Sequence, residues 1–112
     1  MQINGKEIRF SISNKNHAAN FEKAIRAMEK DEERIRKMSQ GKLGDVLDAL
    51  IRMFRKFFLT ATGEDVLKDC EDAQEAKEAY DEFLSAVREQ KEHFLSPYSL
   101  ERISDESQYT AG

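Results

Sequence analysis

The chain contains no tryptophan, one proline, one cysteine and two histidines among 112 residues. Each shortage excludes something. Cys70 alone cannot close an internal disulfide, so a reducing compartment, the cytoplasm, is expected. Cys70 also lies between Asp69 and Glu71-Asp72, and neighbouring acids raise a thiol's pKa, the wrong direction for a nucleophile. His17 and His93 are far apart and neither stands in a ligand spacing, so both read as solvated or capping side chains and no metal is expected. No apolar run is long and charge-free enough to span a bilayer, which needs about 20 such residues. The opening "MQINGKEIRF" carries charge where a signal peptide needs an apolar core, so none is expected.

The single proline and the five glycines leave long uninterrupted stretches, and 36% of the residues are charged against 39% hydrophobic. That balance suits a helix-rich globule. It is too apolar for disorder and too charged for a membrane protein. The length allows one domain, which buries roughly two-thirds of the surface its unfolded chain exposes, so its own core is modest.

The formal net charge of −4 conceals a polarity. Residues 1–63 hold 13 Lys/Arg and 8 Asp/Glu, a balance of +5, whereas residues 64–112 hold 5 and 14, a balance of −9. A basic half raises the question of nucleic acid. The cations alternate with acids, as in "EKDEERIRK", and no nucleic-acid motif accompanies them, which favours helices of opposite sign facing each other.

Periodicity divides the chain. Asn4-Gly5 is a strong two-residue hairpin signal. After it Ile8, Phe10 and Ile12 alternate, which predicts a strand over 7–13 within an N-terminal hairpin, 1–13. A first helix is predicted over about 16–38, capped by Asn14 or Asn16 and ended by Gly41. Its thin seam is Phe21, Ile25, Met28, Ile35 and Met38, with Glu32 at the intervening inner position.

A second helix is predicted over about 42–59. At about 100° per residue, Leu43, Val46, Leu47, Leu50, Ile51, Met53, Phe54, Phe57 and Phe58 fill an apolar arc about 160° wide, with Asp45, Asp48, Arg52, Arg55 and Lys56 opposite. A membrane-surface helix would carry a more uniformly basic polar face. Thr62 with Asp65 suggests a short third helix over about 63–70, its inner face Val66, Leu67 and a buried Cys70. Asp72 with Glu75 opens a fourth over about 72–95, with Ala73, Ala76, Tyr80, Phe83, Leu84, Val87, Phe94 and Leu95 turned inward and Pro97 stopping it. From Ser96 periodicity is lost, and 96–112 is expected to be mostly a flexible tail. The expected architecture is mainly α: a small bundle of about three long helices and a short one, with an N-terminal β-hairpin, in one domain over 1–95.

Chemistry is scarce. The carboxylates lie one turn apart on polar helix faces, where nothing shifts their pKa toward acid–base work. Gly41-Lys42-Leu43-Gly44 lacks the phosphate-loop spacing and follows a helix. The chain reads as a non-enzyme without cofactor. What remains is surface. The arc of the second helix is wider than one neighbour needs, so it is either central in the bundle or partly left for a partner. Met53, Phe57, Phe58 and Leu59 are the candidate partner-binding residues; Phe57 and Phe58 lie inside the arc, where packing in the chain's own core is the first expectation, and Leu59 lies outside it. Exposed apolar surface on a small soluble protein marks a binding site.

The order "INGKEIRFSI", a charged first helix, "MFRKFF" before a short Gly-containing turn, then "GEDVLKDC" and "EAYDEFLSAV" resembles a group of small proteins encoded near the tape-measure gene in tailed phages and prophages of Gram-positive bacteria, regarded as tail assembly chaperones. The resemblance spans about 3–95. It implies a non-catalytic, self-associating protein of the bacterial cytoplasm that binds the tape-measure protein, and tail-tube subunits with it, and keeps them soluble until the tube forms. The alternatives are a small self-associating scaffold and a nucleic-acid-associated regulatory protein.

Overall fold

Asn4 and Gly5 both take positive φ, 54° and 75°. Two successive left-handed residues make the tight turn whose twist matches paired strands, and glycine adopts it freely. The turn joins β1 (Gln2–Ile3) to β2 (Lys6–Glu7), antiparallel, with Gln2 opposite Glu7 and Ile3 opposite Lys6. The computed structural model describes residues 1–38 and 41–100.

The strand expected over 7–13 ends almost as it begins. Beyond the Ile8 N–H, which donates to the Met1 carbonyl at 2.7 Å, the chain meets a side chain instead of a strand. The Gln90 amide donates to the Phe10 carbonyl at 3.2 Å and accepts from the Ile12 N–H at 3.0 Å. One glutamine satisfies the backbone groups that a third strand would have paired. The alternation survives as burial: Ile8 and Phe10 are in the core and Ile12 is half-buried.

Helix α1 spans Lys15–Arg36. Asn14 caps it, its Oδ1 accepting from the N–H groups of Asn16 and His17 at 2.9 and 3.1 Å. The helix stops at Arg36 with Lys37 as its C-cap, so Gly41 is not the stop. Arg34 and Arg36 in the last turn complement the helix dipole. Phe21, Ile25 and Met28 form the buried seam with Ala24, and Ile35 is half-buried. The inner acid is Asp31 rather than Glu32. Arg34 pairs with it one turn on, and Lys56 approaches it at 3.4 Å, which compensates the buried charge.

Helix α2 spans Leu43–Thr62, one turn longer than expected. Leu59, Thr60, Ala61 and Thr62 continue it, and Ala61 is buried. Gly63 ends it in the left-handed region, φ 76°, donating its N–H to the Leu59 carbonyl at 3.0 Å. Thr62 therefore closes this helix instead of opening another. Its hydroxyl donates to the Phe58 carbonyl at 2.7 Å and accepts from the Glu64 N–H at 3.1 Å.

The short helix expected over 63–70 is absent; the segment is a chain of turns. Asp65 is held by Arg55 through two hydrogen bonds of 2.8 and 2.6 Å and is not a capping partner. Asp69 takes φ 64°, which a helix does not allow. Val66 and Leu67 are nevertheless fully buried, while Cys70 is half-buried and not enclosed.

Helix α3 spans Ala73–Leu95. Asp72 caps it, accepting from the N–H groups of Gln74 and Glu75 at 2.8 and 3.1 Å. Ala76, Ala79, Tyr80, Phe83 and Val87 are buried; Ala73, Leu84 and Leu95 are half-buried. Phe94, expected inside, is 50% exposed. At this end α3 outruns the N-terminal segment, which is hydrogen-bonded to it at Glu82 and Gln90. Ser96–Tyr98 continues as a single 3-10 turn containing Pro97. The tail expectation otherwise falls on 101–112, outside the described residues.

The helices meet around aromatic rings. Phe83 is fully buried, with ring centroids of Phe10, Phe21, Phe57 and Phe58 at 5.1, 6.0, 5.8 and 5.5 Å. Edge-to-face pairs of this kind contribute about 0.5–1.5 kcal/mol each beyond area burial. Phe54 and Phe57 meet Tyr80, and Phe57 and Phe58 meet Phe83, so α2 and α3 run the same way. Ala24 lies near Thr60, while Ile35 lies near Ala49, so α1 runs opposite to α2. Residues 63–72 carry the chain back. The fold is mainly α, three helices and a two-stranded hairpin, its core shared by all of them.

Candidate protein-binding face

Helix α2 is covered unevenly. Its second half, Met53 to Ala61, supplies five buried residues: Met53, Phe54, Phe57, Phe58 and Ala61. Its first half supplies none. Leu43 is 73% exposed and Leu47 39%, with Val46, Leu50 and Ile51 only half-buried. These five share the arc of the buried phenylalanines, so helical periodicity alone treats them alike. Their neighbours differ. The apolar seam of α1 meets the second half, whereas at the level of Leu47 and Leu50 α1 offers Glu32.

This sorts the candidate partner-binding residues into core and surface. Met53, Phe57 and Phe58 are core, at most 5% exposed, because Phe21, Tyr80 and Phe83 close over that end of the helix. Phe57 and Phe58 present nothing to a partner, and Met53 reaches the surface only at the floor of a groove between the three helices. Leu59 is 44% exposed, on the charged side of α2. The uncovered surface lies at the opposite end, on Leu43 and Leu47, which the width of the arc signalled without saying where. A second exposed group, Phe94 in the last turn of α3 with Tyr98 and Leu100 beyond it, has the Phe94 and Tyr98 rings 6.4 Å apart.

Beside the uncovered half of α2 runs a groove of about 760 Å³ between all three helices. Met28, Leu47, Leu50, Met53, Phe54 and Leu84 give it an apolar floor, with the Tyr80 ring. Its polar lining is acidic: Glu32, Glu71, Asp72 and Asp81 against one cation, Lys77, which Asp81 holds at 2.8 Å. Burial, and then Glu32, Asp81 and Glu29, hold the Tyr80 phenol well above its ordinary range, so it stays neutral and donor-capable.

The remaining polar candidates have structural roles. His17 stacks on Phe10 at 5.5 Å, and its Nδ1 accepts from the Ser11 N–H at 3.0 Å. The Cys70 thiol donates to the Asp72 carbonyl at 3.3 Å. Among the described residues, no group of three or more His, Cys, Asp or Glu is placed to hold a metal ion, and no helix is long and apolar enough to cross a membrane. Many cations of the first half are paired: Arg26 with Glu22, Arg36 with Glu32 and Glu33, Arg52 with Asp48, Arg55 with Asp65.

Residues 4–108, nearly the whole chain, match a family of unknown function, DUF6673. The chain belongs to the DUF6673 family. No curated protein and no solved structure matches this DUF6673 member. The match covers the hairpin turn and all three helices, so the uncovered face of α2 and the acidic groove both lie inside the family's extent.

Proposed function

We propose that this protein is a non-catalytic tail assembly chaperone of a tailed phage or prophage, acting in the cytoplasm of the bacterial host. The observation that carries the reading is the uncovered apolar half of α2, Leu43 and Leu47 above half-buried Leu50 and Ile51. A chain of this size with a modest core leaves such side chains in water at a cost unless a partner covers them. The order and spacing of its motifs resemble the tail chaperones, which supplies the client: the tape-measure protein, with tail-tube subunits as further partners. The face would shield the client's apolar segments until the tube polymerises. Self-association accompanies this role, and Phe94, Tyr98 and Leu100 offer a second apolar surface for it.

The ion pairing of the first-half cations argues against the nucleic-acid reading, because paired charges contribute little to a phosphate-binding surface. Co-expression with a tape-measure protein of the same phage or prophage tests the proposal. The two should co-purify, and the double variant Leu43→Ser/Leu47→Ser should lose the complex while keeping its melting temperature. A tape-measure protein that is equally soluble alone and never co-purifies would overturn it.

A further inference from the structure

We infer that the groove between the three helices is the receptor for a cationic amphipathic helix of the partner protein. The inference rests on the protein-binding reading above and names the chemistry of what binds. The floor is apolar and linear. Leu47, Leu50 and Phe54 follow one another at spacings of three and four residues along α2, so they form a single row about 10 Å long. Met28 from α1 and Leu84 from α3 close its two sides. A trough walled by helices accepts a further helix laid along it, whose residues at i, i+3 or i+4, and i+7 fill the row. An extended strand is a poor occupant, because the walls are helices whose backbone groups are already bonded internally.

The charge decides which helix. Glu32 comes from α1, Glu71 and Asp72 from the link just before α3, and Asp81 from α3. Lys77 is neutralised by Asp81, and Glu32 is only loosely engaged, by Arg36 at 3.7 Å. With Asp81 and Lys77 cancelling, the negative charge of the rim rests on Glu32 from α1 and on Glu71 and Asp72 just before α3. An occupant with acids flanking its apolar stripe meets repulsion along its length, whereas one with Lys and Arg there gains attraction and faster encounter. Asp72 is committed to capping α3 and Asp81 to Lys77, so Glu32 and Glu71 are the acids free to discriminate.

The test uses the full chain and three labelled peptides of about 18 residues. One carries Leu at helical spacing flanked by Lys, one has Glu in place of Lys, and one is a scramble of the first. Fluorescence anisotropy should show saturable binding of the first peptide, weaker at high salt, and at least about tenfold weaker binding of the other two. Leu47→Ser should weaken the cationic peptide about tenfold or more, and Glu32→Gln/Glu71→Gln about threefold or more, with the melting temperature of each variant kept. Equal binding of the cationic and anionic peptides, or unchanged binding by Leu47→Ser, overturns the inference. So does a parent oligomer that Leu47→Ser dissolves in sedimentation, since the occupant is then a second copy of the chain. Failure here with a tape-measure complex intact removes the groove and leaves the proposed function standing. Peptide binding without any tape-measure complex does the reverse.

Discussion

The two halves of α2 carry the same apolar arc and have opposite fates. From Met53 to Ala61 the arc is sealed beneath α1, α3 and the N-terminal segment; from Leu43 to Ile51 it overhangs. The difference lies in what stands opposite. Phe21, Ile25 and Met28 face the sealed half, whereas beside Leu47 and Leu50 α1 presents Glu32, and Ile35 near Ala49 is only half-buried. An amphipathic pattern states which side of a helix wants cover, and the neighbours decide whether it gets any.

The largest effect that tests this contrast is in the sealed half. Phe58→Ala should cost about 3–5 kcal/mol in chemical denaturation, because Phe58 is fully buried and its removal leaves a cavity against Phe57 and Phe83. The matched change in the overhanging half, Leu47→Ser, should stay within about 0.5 kcal/mol. Similar losses for both would mean that the halves are equally integrated and would end the comparison.

A smaller effect is expected where the sealed half stops. Gly63→Ala should destabilise by about 1–2 kcal/mol, since the left-handed conformation there crowds any Cβ although the surrounding space is open. Tyr80 lies at the seam of the two halves, and its effect appears only in alkali. Its phenol keeps its proton in the folded state at pH values where an unfolded tyrosine, with its ordinary pKa of 10.0, has lost it. The contribution is complete below that value and is lost as pH rises above it. Tyr80→Phe should flatten the alkaline limb of a stability–pH curve.

The smallest effect belongs to Asp65, which Arg55 holds below its ordinary carboxylate value of 3.8. Its stabilisation is fully present above that value and is lost as pH falls through its own lower one. Asp65→Asn should lower stability slightly at neutral pH and not in strong acid, flattening a small part of the acid limb, and the effect is small because the pair is exposed.

Local signals were readable in the chain, and non-local ones were not. The Asn4-Gly5 turn, the Asn14 and Asp72 caps and the three long helices each follow from residues within a few positions of one another. The segment 63–72 carries good local helix signals. Yet Arg55, ten residues before Asp65, claims the carboxylate that the capping pattern assigned to a new helix. The end of β2 depends on Gln90, 78 residues beyond Ile12. Of the candidate site, the excess apolar arc was visible, whereas its location was not. Placing it at Leu43 and Leu47 instead of Phe57 and Phe58 requires knowing that Glu32 lines the groove beside Leu47.

The tie between the two ends of the chain bears on the order in which the molecule comes together. Asn4 bonds to Glu82, Ile12 to Gln90 and Phe10 to Gln90, contacts 78 to 80 residues apart. The α1–α2 pair, by contrast, closes over a short link. As the chain leaves the ribosome, that pair can form while Ile3, Ile8 and Phe10 still lack their permanent cover. They gain it only after most of α3 has emerged, since long loops close late and at an entropic cost. The hairpin segment, made well before α3, is thus among the last parts to be fixed, and a chain cut short before α3 would leave Ile3 and Ile8 as sticky surface.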